Sequence, residues 1–450
     1  MGLFMAGAAT VDITPDRAMV NYNNTEYEPG PEGKKLNANI IYCCRGDEEI
    51  VFISADLSFI DRSLVLRIRD HCQYRLGIKP ERIIVAATHT HNAPTVCPTF
   101  LTGGTPDPLY QEILISRIVK GVKLALENRQ PATAGAIEVK VPGRIGNRRR
   151  LRTDGTIRII DSSEQWAENL PTEGPVDEAV GLLAFKDLEN NYIALIVNPA
   201  FHNNCCDTFG GGYYYSDIYG LISCHLRNVF PSLHSVAVIP APSGNLLPRL
   251  EKGKVYPNQV ELAAEIANFY AEKIKTALGK IKTKDNPELK FTNDVLEIAD
   301  RPLKDSAFCE DGCRGEGPWE LEFARLRYDP EKEALEKMEP VTCLVEITAI
   351  QVGDAMIVTN PAELFCEFGL EIRQKSSFPV TLIFELTNGY CGYVPTEESF
   401  GRGGYETHRT IFTSRLSKKA GIIIKEKSLE LMAALSEKKT DLSGRRPYFN

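Results

Sequence analysis

The sequence predicts an α/β fold in which mixed β-sheets are flanked by helices. Two observations lead there. Short apolar runs of strand length recur along the chain, and segments with apolar residues at helical spacing lie between them. No internal repeat or low-complexity linker divides the 450 residues, so they read as one large domain, 1–450.

The first strand is expected over 6–14, at the start of the chain. Strands follow at 39–44 and 50–55, and then a helix at 62–75 with Asp61 as its N-cap. The β-branched run 83–87 reads as a buried strand and 109–129 as a long helix. Strands are expected at 136–141, 180–185, 194–198 and 236–240, with a helix at 218–230 between the last two. The helix expected at 258–278 follows Pro257, a residue suited to a first turn. Strands at 289–298, 343–352, 355–359 and 380–386 and helices at 330–338, 362–374 and 411–436 complete the pattern. Residues 300–319 carry Gly312, Gly315, Gly317 and Pro318 and read as a lid or a crossing between two halves. Gly210–Gly212 followed by Tyr213–Tyr215 forms a second irregular loop, whose aromatics are expected to line a pocket.

Composition narrows the function. Hydrophobic residues make up 43% and charged residues 25%, as in soluble globular proteins. The formal net charge of −8 argues against a nucleic-acid or anionic-membrane partner, since both need a basic face. The one basic concentration, Arg144, Arg148–Arg150 and Arg152, is either a phosphate or carboxylate site or a solvated charge run. No run of eighteen apolar residues predicts a membrane helix, and the N-terminus lacks the basic start and apolar segment of a secretory signal. The twelve cysteines are scattered, and Cys43-Cys44 and Cys205-Cys206 are adjacent, so reduced thiols in a cytoplasmic setting are expected. Cys309-x3-Cys313 has a metal-compatible spacing but no second ligand pair follows it.

The chemistry concentrates at strand ends. The run 83–87 stops at Thr88-His89-Thr90-His91, and Asn92-Ala93-Pro94 turns the chain away. If the segment is still extended, His89 and His91 point the same way, because strand side chains alternate. His202 follows the strand 194–198, Glu363 follows 355–359, and Tyr393 follows 380–386. Carboxyl ends of strands are where α/β folds place ligands. Two histidines and a carboxylate with an open position form a catalytic zinc pattern. On spacing alone, Glu363 equally suits the first turn of a helix, and Tyr393 a core position. Asp56 and Asp217 are candidate partners for a ligating histidine.

Gly7–Thr14 (GAATVDIT), Thr88–His91 with its following Pro94, Asn147-Arg148-Arg149, His202, the Pro361–Glu363 turn, and Gly392–Thr396 with Glu397-Glu398 and Tyr405-Glu406 occur in that order. This order resembles the N-terminal catalytic domain of the neutral/alkaline ceramidase family, from about Gly7 to about Tyr405. The resemblance implies a neutral-ceramidase-like fold and one zinc ion held by His89, His202, Glu363 and Tyr393. It also implies that His91, Arg148 and Tyr405 face the reacting group. Three features depart from the pattern. Leu247, in Gly244-Asn245-Leu246-Leu247-Pro248, stands where the family has the serine of Gly-Asp-x-Ser-Pro. His202 is followed by Asn203-Asn204-Cys205-Cys206 in place of Gly-Thr-Ser-Met. The chain ends where family members continue into an immunoglobulin-like domain, so none is expected here. The expected activity is therefore zinc-dependent hydrolysis of an amide, ester or lactone in a small soluble substrate, not of ceramide. A zinc lyase or isomerase acting on a carbonyl or sugar-derived compound is the first alternative, and a metal-dependent binding protein the second. A small-molecule substrate is the expected partner, without nucleic acid or membrane insertion. Self-association into a homo-oligomer is left open.

Overall fold

A computed structural model describes residues 2–31, 35–99, 103–160, 170–206, 212–249, 251, 254, 256, 258–302, 341–410 and 412–436. In chain order, the strands that build the sheets and the site begin with β1 (Phe4–Asp12), β2 (Asn37–Arg45), β3 (Glu48–Ala55), β4 (Ile83–Ala87) and β5 (Gln130–Lys140). Next come β6 (Ile145–Asn147), β7 (Ala179–Asp187), β8 (Tyr192–Asn198), β9 (Ser235–Val238) and β10 (Leu246–Pro248). The last are β11 (Leu289–Ala299), β12 (Thr342–Val352), β13 (Ala355–Thr359), β14 (Glu363–Leu364), β15 (Val380–Phe384) and β16 (Tyr393–Val394). The helices are α1 (Arg62–Leu76), α2 (Pro108–Glu127), α3 (Asp217–Val229), α4 (Gln259–Leu278), α5 (Cys366–Lys375), α6 (Glu397–Arg402) and α7 (Ala420–Ser436).

The larger sheet has the order β9-β8-β7-β5-β1-β2-β3-β4 and the smaller β11-β12-β13-β15. Both are mixed. The pairs β3–β4, β8–β9 and β13–β15 are parallel, and the remaining neighbours along each path are antiparallel.

The sheets stack face to face. Phe52, Ile84, Phe185 and Ile196 of the larger sheet share one apolar cluster with Ile350, Ile357, Leu382 and Phe384 of the smaller. The opposite faces are also buried. Ile53 and Val85 pack under Leu64 of α1 and Ile118 of α2, while Leu195 and Val236 pack under Ile222 of α3 and Ile266 of α4. Met356 and Ile383 pack under Phe368 and Ile372 of α5 and Ile424 of α7. The architecture is thus helix, sheet, sheet, helix. Strands covered on both faces need no polar alternation, and this is why they read as continuous apolar runs in the sequence.

Several expected boundaries shift. β1 ends at Asp12: the Ile13 N–H still reaches its register partner, the Leu36 carbonyl, at 2.9 Å, but the Leu36 N–H turns to the Thr14 hydroxyl. The helix expected from 362 starts at Cys366, since Glu363 and Leu364 pair instead with Tyr393 and Val394. The helix expected from 411 starts at Ala420. Before it, Leu416 bridges Asp300 and the Ser417 N–H reaches the Ala299 carbonyl, so these two residues line the edge of β11 and are not helical. Tyr214 and Tyr215 each pack into an apolar core cluster beneath the helices, while Tyr213 is exposed. The helix expected at 330–338, the Cys309/Cys313 pair, Gly210, Gly211 and all but 300–302 of the irregular region lie outside the described residues.

Candidate metal centre

Four strands deliver side chains to one point between the carboxyl ends of the two sheets. After β4, the Thr88 N–H reaches the Ala55 carbonyl and the His89 N–H the Leu57 carbonyl, each at 2.9 Å. His89 itself has φ of +66°, in the left-handed region. A non-glycine residue held there costs on the order of 1–3 kcal/mol, which the surrounding bonds must outweigh. The segment is therefore not the extended strand end that simple alternation assumes. The kink still brings His89 and His91 together, with ring centroids 5.0 Å apart and planes nearly perpendicular.

His202 follows β8, and its N–H donates to the Leu246 carbonyl at 3.2 Å. Its Nε2 lies 3.1 Å from Glu363 Oε2 and 3.2 Å from the Tyr393 hydroxyl. His89 Nε2 lies 3.4 Å from the same Glu363 oxygen. Glu363 and Tyr393 are register partners in the parallel β14–β16 pair, so backbone pairing sets their spacing. Glu363 is thus a strand residue, and the helix-dipole reading of it falls. Its other oxygen accepts from the Tyr390 hydroxyl at 2.6 Å. At Gly244 a Cβ would meet the Glu363 carbonyl oxygen at 2.5 Å, so only glycine lets these two loops pass.

The donor chemistry fits a cation. His89 Nδ1 lies 3.0 Å from the Ser58 carbonyl, and His202 Nδ1 lies 2.9 Å from the Ser243 carbonyl. A carbonyl oxygen only accepts, so each Nδ1 carries the proton and each Nε2 keeps its lone pair. Burial and the neighbouring Arg148 hold His202 down to about 3, which keeps it neutral near pH 7. Two imidazole lone pairs and a carboxylate oxygen therefore face one another, all buried and within 4.8 Å. His89 Nε2 has no hydrogen-bond donor among the described residues. Three converging acceptors repel unless positive charge lies between them. His89, His202 and Glu363 form a trio able to hold a metal ion, and the Tyr393 oxygen sits beside it.

The other expected residues are also here. Arg148 is 3% exposed, not a surface arginine. Its Nε donates to Glu406 at 2.8 Å and its Nη2 to the Gly244 carbonyl at 2.6 Å. Its guanidinium lies 5.4 Å from the Tyr393 ring centroid and 4.9 Å from that of Tyr405. The Tyr393 and Tyr405 hydroxyls are 3.4 Å apart. His91 Nδ1 lies 2.9 Å from the Tyr22 hydroxyl.

The basic run is no open anion site. Arg149 pairs with Glu173 and, at 2.7 Å, with Glu406, and Arg144 pairs with Glu251 and Glu265. Asp56 accepts from the Asn37 N–H and the Thr88 hydroxyl, and Asp217 accepts from the Cys206 N–H, while backbone carbonyls hold the imidazoles. Leu247 lies in β10, paired with Gly146 of β6, so the strand next to Arg148 offers no hydroxyl at that position.

Several contributors had no signal in the sequence. Ser58 and Ser243 act through their carbonyls, which any residue supplies. Tyr22 and Tyr390 look like ordinary core aromatics. Glu406, which bridges Arg148 and Arg149, was adjacent to a recognised tyrosine and was the one findable by its place in the motif.

The chain superposes on the crystal structure of a neutral ceramidase from Pseudomonas aeruginosa with a TM-score of 0.75, and on a ceramidase complexed with C2 with a TM-score of 0.74. Each match covers 97% of this chain and 75% of the other, at 17% sequence identity. The chain has the neutral ceramidase fold. No protein-family model matches the sequence, and no curated protein matches it. It carries that fold as a divergent sequence. Among the described residues, no helix is long and apolar enough to cross a membrane.

Proposed function

We propose that this chain is a zinc-dependent hydrolase acting on an amide, ester or lactone bond of a small soluble substrate. The convergence of His89 Nε2, His202 Nε2 and Glu363 Oε2, with both Nδ1 atoms held by carbonyls, carries the proposal. His89, His202, Glu363 and Tyr393 would hold the ion. Bound zinc supplies Lewis acidity toward a carbonyl and lowers the pKa of water.

The protein's own groups do the rest. Arg148 is clamped through Nε and Nη2, so its guanidinium is fixed before a substrate arrives and its charge is aimed at the reacting carbonyl. By the family resemblance, His91 and the Tyr405 hydroxyl would face the same reacting group. Phe59 packs edge-on against His89 at 5.1 Å, with Tyr390 and Phe412 behind it at 4.4 and 5.0 Å, and this aromatic wall keeps bulk water from that side of the ligands. Leu247 argues against ceramide, since the family resemblance places a serine there.

Metal analysis of the purified chain, followed by assay on small amides, esters and lactones beside short- and long-chain ceramides, tests the reading. One zinc per chain and turnover of a small substrate are expected. Ceramide cleavage at about 10⁴ M⁻¹s⁻¹ or more would overturn the substrate assignment. A second reading, a lyase or isomerase on a carbonyl or sugar-derived compound, is favoured by the two phenols, Tyr393 and Tyr405, that lie against Arg148 and can carry a proton. Labelled oxygen from water enters the product of a hydrolase and not that of an isomerase.

A further inference from the structure

Three imidazoles meet at this centre, and their Nδ1 atoms have different partners. Those of His89 and His202 face backbone carbonyls, as described. That of His91 faces a phenol, the Tyr22 hydroxyl, at 2.9 Å. Tyr22 is built into place. It is buried, and its carbonyl accepts from the Thr99 hydroxyl at 3.0 Å and from the Gly104 N–H at 3.2 Å. Its ring packs edge-on against Phe59 and against His91. The preceding residue grips the same histidine from behind, with Asn21 Nδ2 donating to the His91 carbonyl at 3.1 Å.

The chemistry of this contact has a direction. A phenol is a good hydrogen-bond donor and a poor acceptor, and the unprotonated imidazole nitrogen is the better acceptor of the two. The hydroxyl therefore donates and Nδ1 accepts. In a neutral ring the one remaining proton then lies on Nε2.

We propose that Tyr22 is a positioning residue that holds His91 as the Nε2–H tautomer, so that His91 meets the substrate as a hydrogen-bond donor to the developing oxyanion. The role toward substrate rests on the hydrolase reading; the tautomer does not. The assignment explains how two histidines two residues apart divide their work. A carbonyl behind His89 leaves a lone pair on Nε2 for a metal. A hydroxyl behind His91 leaves a proton on Nε2, which no metal can share. It also removes His91 from the role of base, so any proton abstraction in a lyase would fall to a tyrosine.

The test is a long-range ¹H–¹⁵N correlation spectrum of the full zinc-loaded chain with ¹⁵N-labelled histidine. The His91 signals are assigned by their loss in His91→Ala. Expected in the wild type are a pyrrole-type Nε2 and a pyridine-type Nδ1 for His91, and the reverse protonation for His89 and His202. In Tyr22→Phe the two His91 shifts should move toward each other as the tautomers mix, with zinc content and the other two histidines unchanged. A His91 proton on Nδ1 in the wild type overturns the proposal whether or not the variant folds. So does an unchanged His91 spectrum in Tyr22→Phe, or loss of zinc in His91→Ala. If His91 is protonated on Nε2 while every amide, ester and lactone is inert, Tyr22 keeps its role and the hydrolase reading fails alone.

Discussion

At the scale of single residues, the proposed centre has groups that would hold an ion and groups that would face a substrate. Replacing His89 or His202 by alanine leaves too few donors for zinc, and metal analysis should find the variants empty. His91→Ala should keep its metal and lose on the order of 10²–10⁴ in turnover, read as kcat on whichever substrate the panel identifies. Zinc lost from that variant would place His91 among the ligands. His89, His202, Glu363 and Tyr393 were legible because each follows an apolar run that had to be a strand. Their partners were not. Arg148 and Glu406 are 258 positions apart, and His202 and Ser243 are 41 apart. Periodicity reports on neighbours within a turn or a strand, and such pairs are set only by how the sheets stack.

At the scale of elements, the layered fold was readable, and the short pieces around the site were not. Strands covered on both faces announce themselves by unbroken apolar runs, and helices by spacing and caps such as Asp61, whose carboxylate accepts from the Leu64 N–H at 2.9 Å. The pair β14–β16 is two residues long on each side. Nothing so short has a period, so Glu363 read as the start of a helix. This pair is held in place by the loop at Gly244, whose N–H donates to the Leu364 carbonyl at 2.9 Å. A methyl group added there collides with the Glu363 backbone. Gly244→Ala should therefore weaken zinc binding by about 10–100-fold, the range seen when supports of metal ligands are disturbed. Competition with a chelator measures it. Gly401, in α6, has open space where its Cβ would go, and Gly401→Ala should bind zinc as the wild type does.

For the whole molecule, the two sheets are joined near the site by charge as well as by apolar packing. Arg69 of α1 donates to both oxygens of Glu346 of β12, at 2.9 and 2.7 Å, and to the Ile83 carbonyl of β4. Arg62 and Asn388 bind the same carboxylate. Burial opposes the charge of Glu346, yet the arginines outweigh burial and hold its carboxyl below its usual value. A carboxyl depressed in the folded state adds stability above its unfolded pKa, about 4.3, and that stability is lost as pH falls through the folded value. Chemical denaturation midpoints should accordingly drop below about pH 4.3. Glu346→Gln leaves Arg69 and Arg62 without a counter-charge. At pH 7 it should cost about 3–5 kcal/mol, and its midpoint should fall less steeply in acid than that of the wild type. Equal acid slopes in the two proteins would mean that other carboxylates carry the effect.

Two candidate ligands, His89 and His202, follow strands of the larger sheet, and two, Glu363 and Tyr393, lie in the short β14–β16 pair that follows strands of the smaller one. No fragment of the chain holds the set, and it is complete only after the sheets have docked. An ion that recognises only the finished molecule cannot speed the search for it. Zinc should leave the refolding rate of this protein unchanged and slow its unfolding, so that the two limbs of a denaturant chevron respond differently to added metal. A refolding rate that rises with zinc would show that the strand ends meet early, before the layers close.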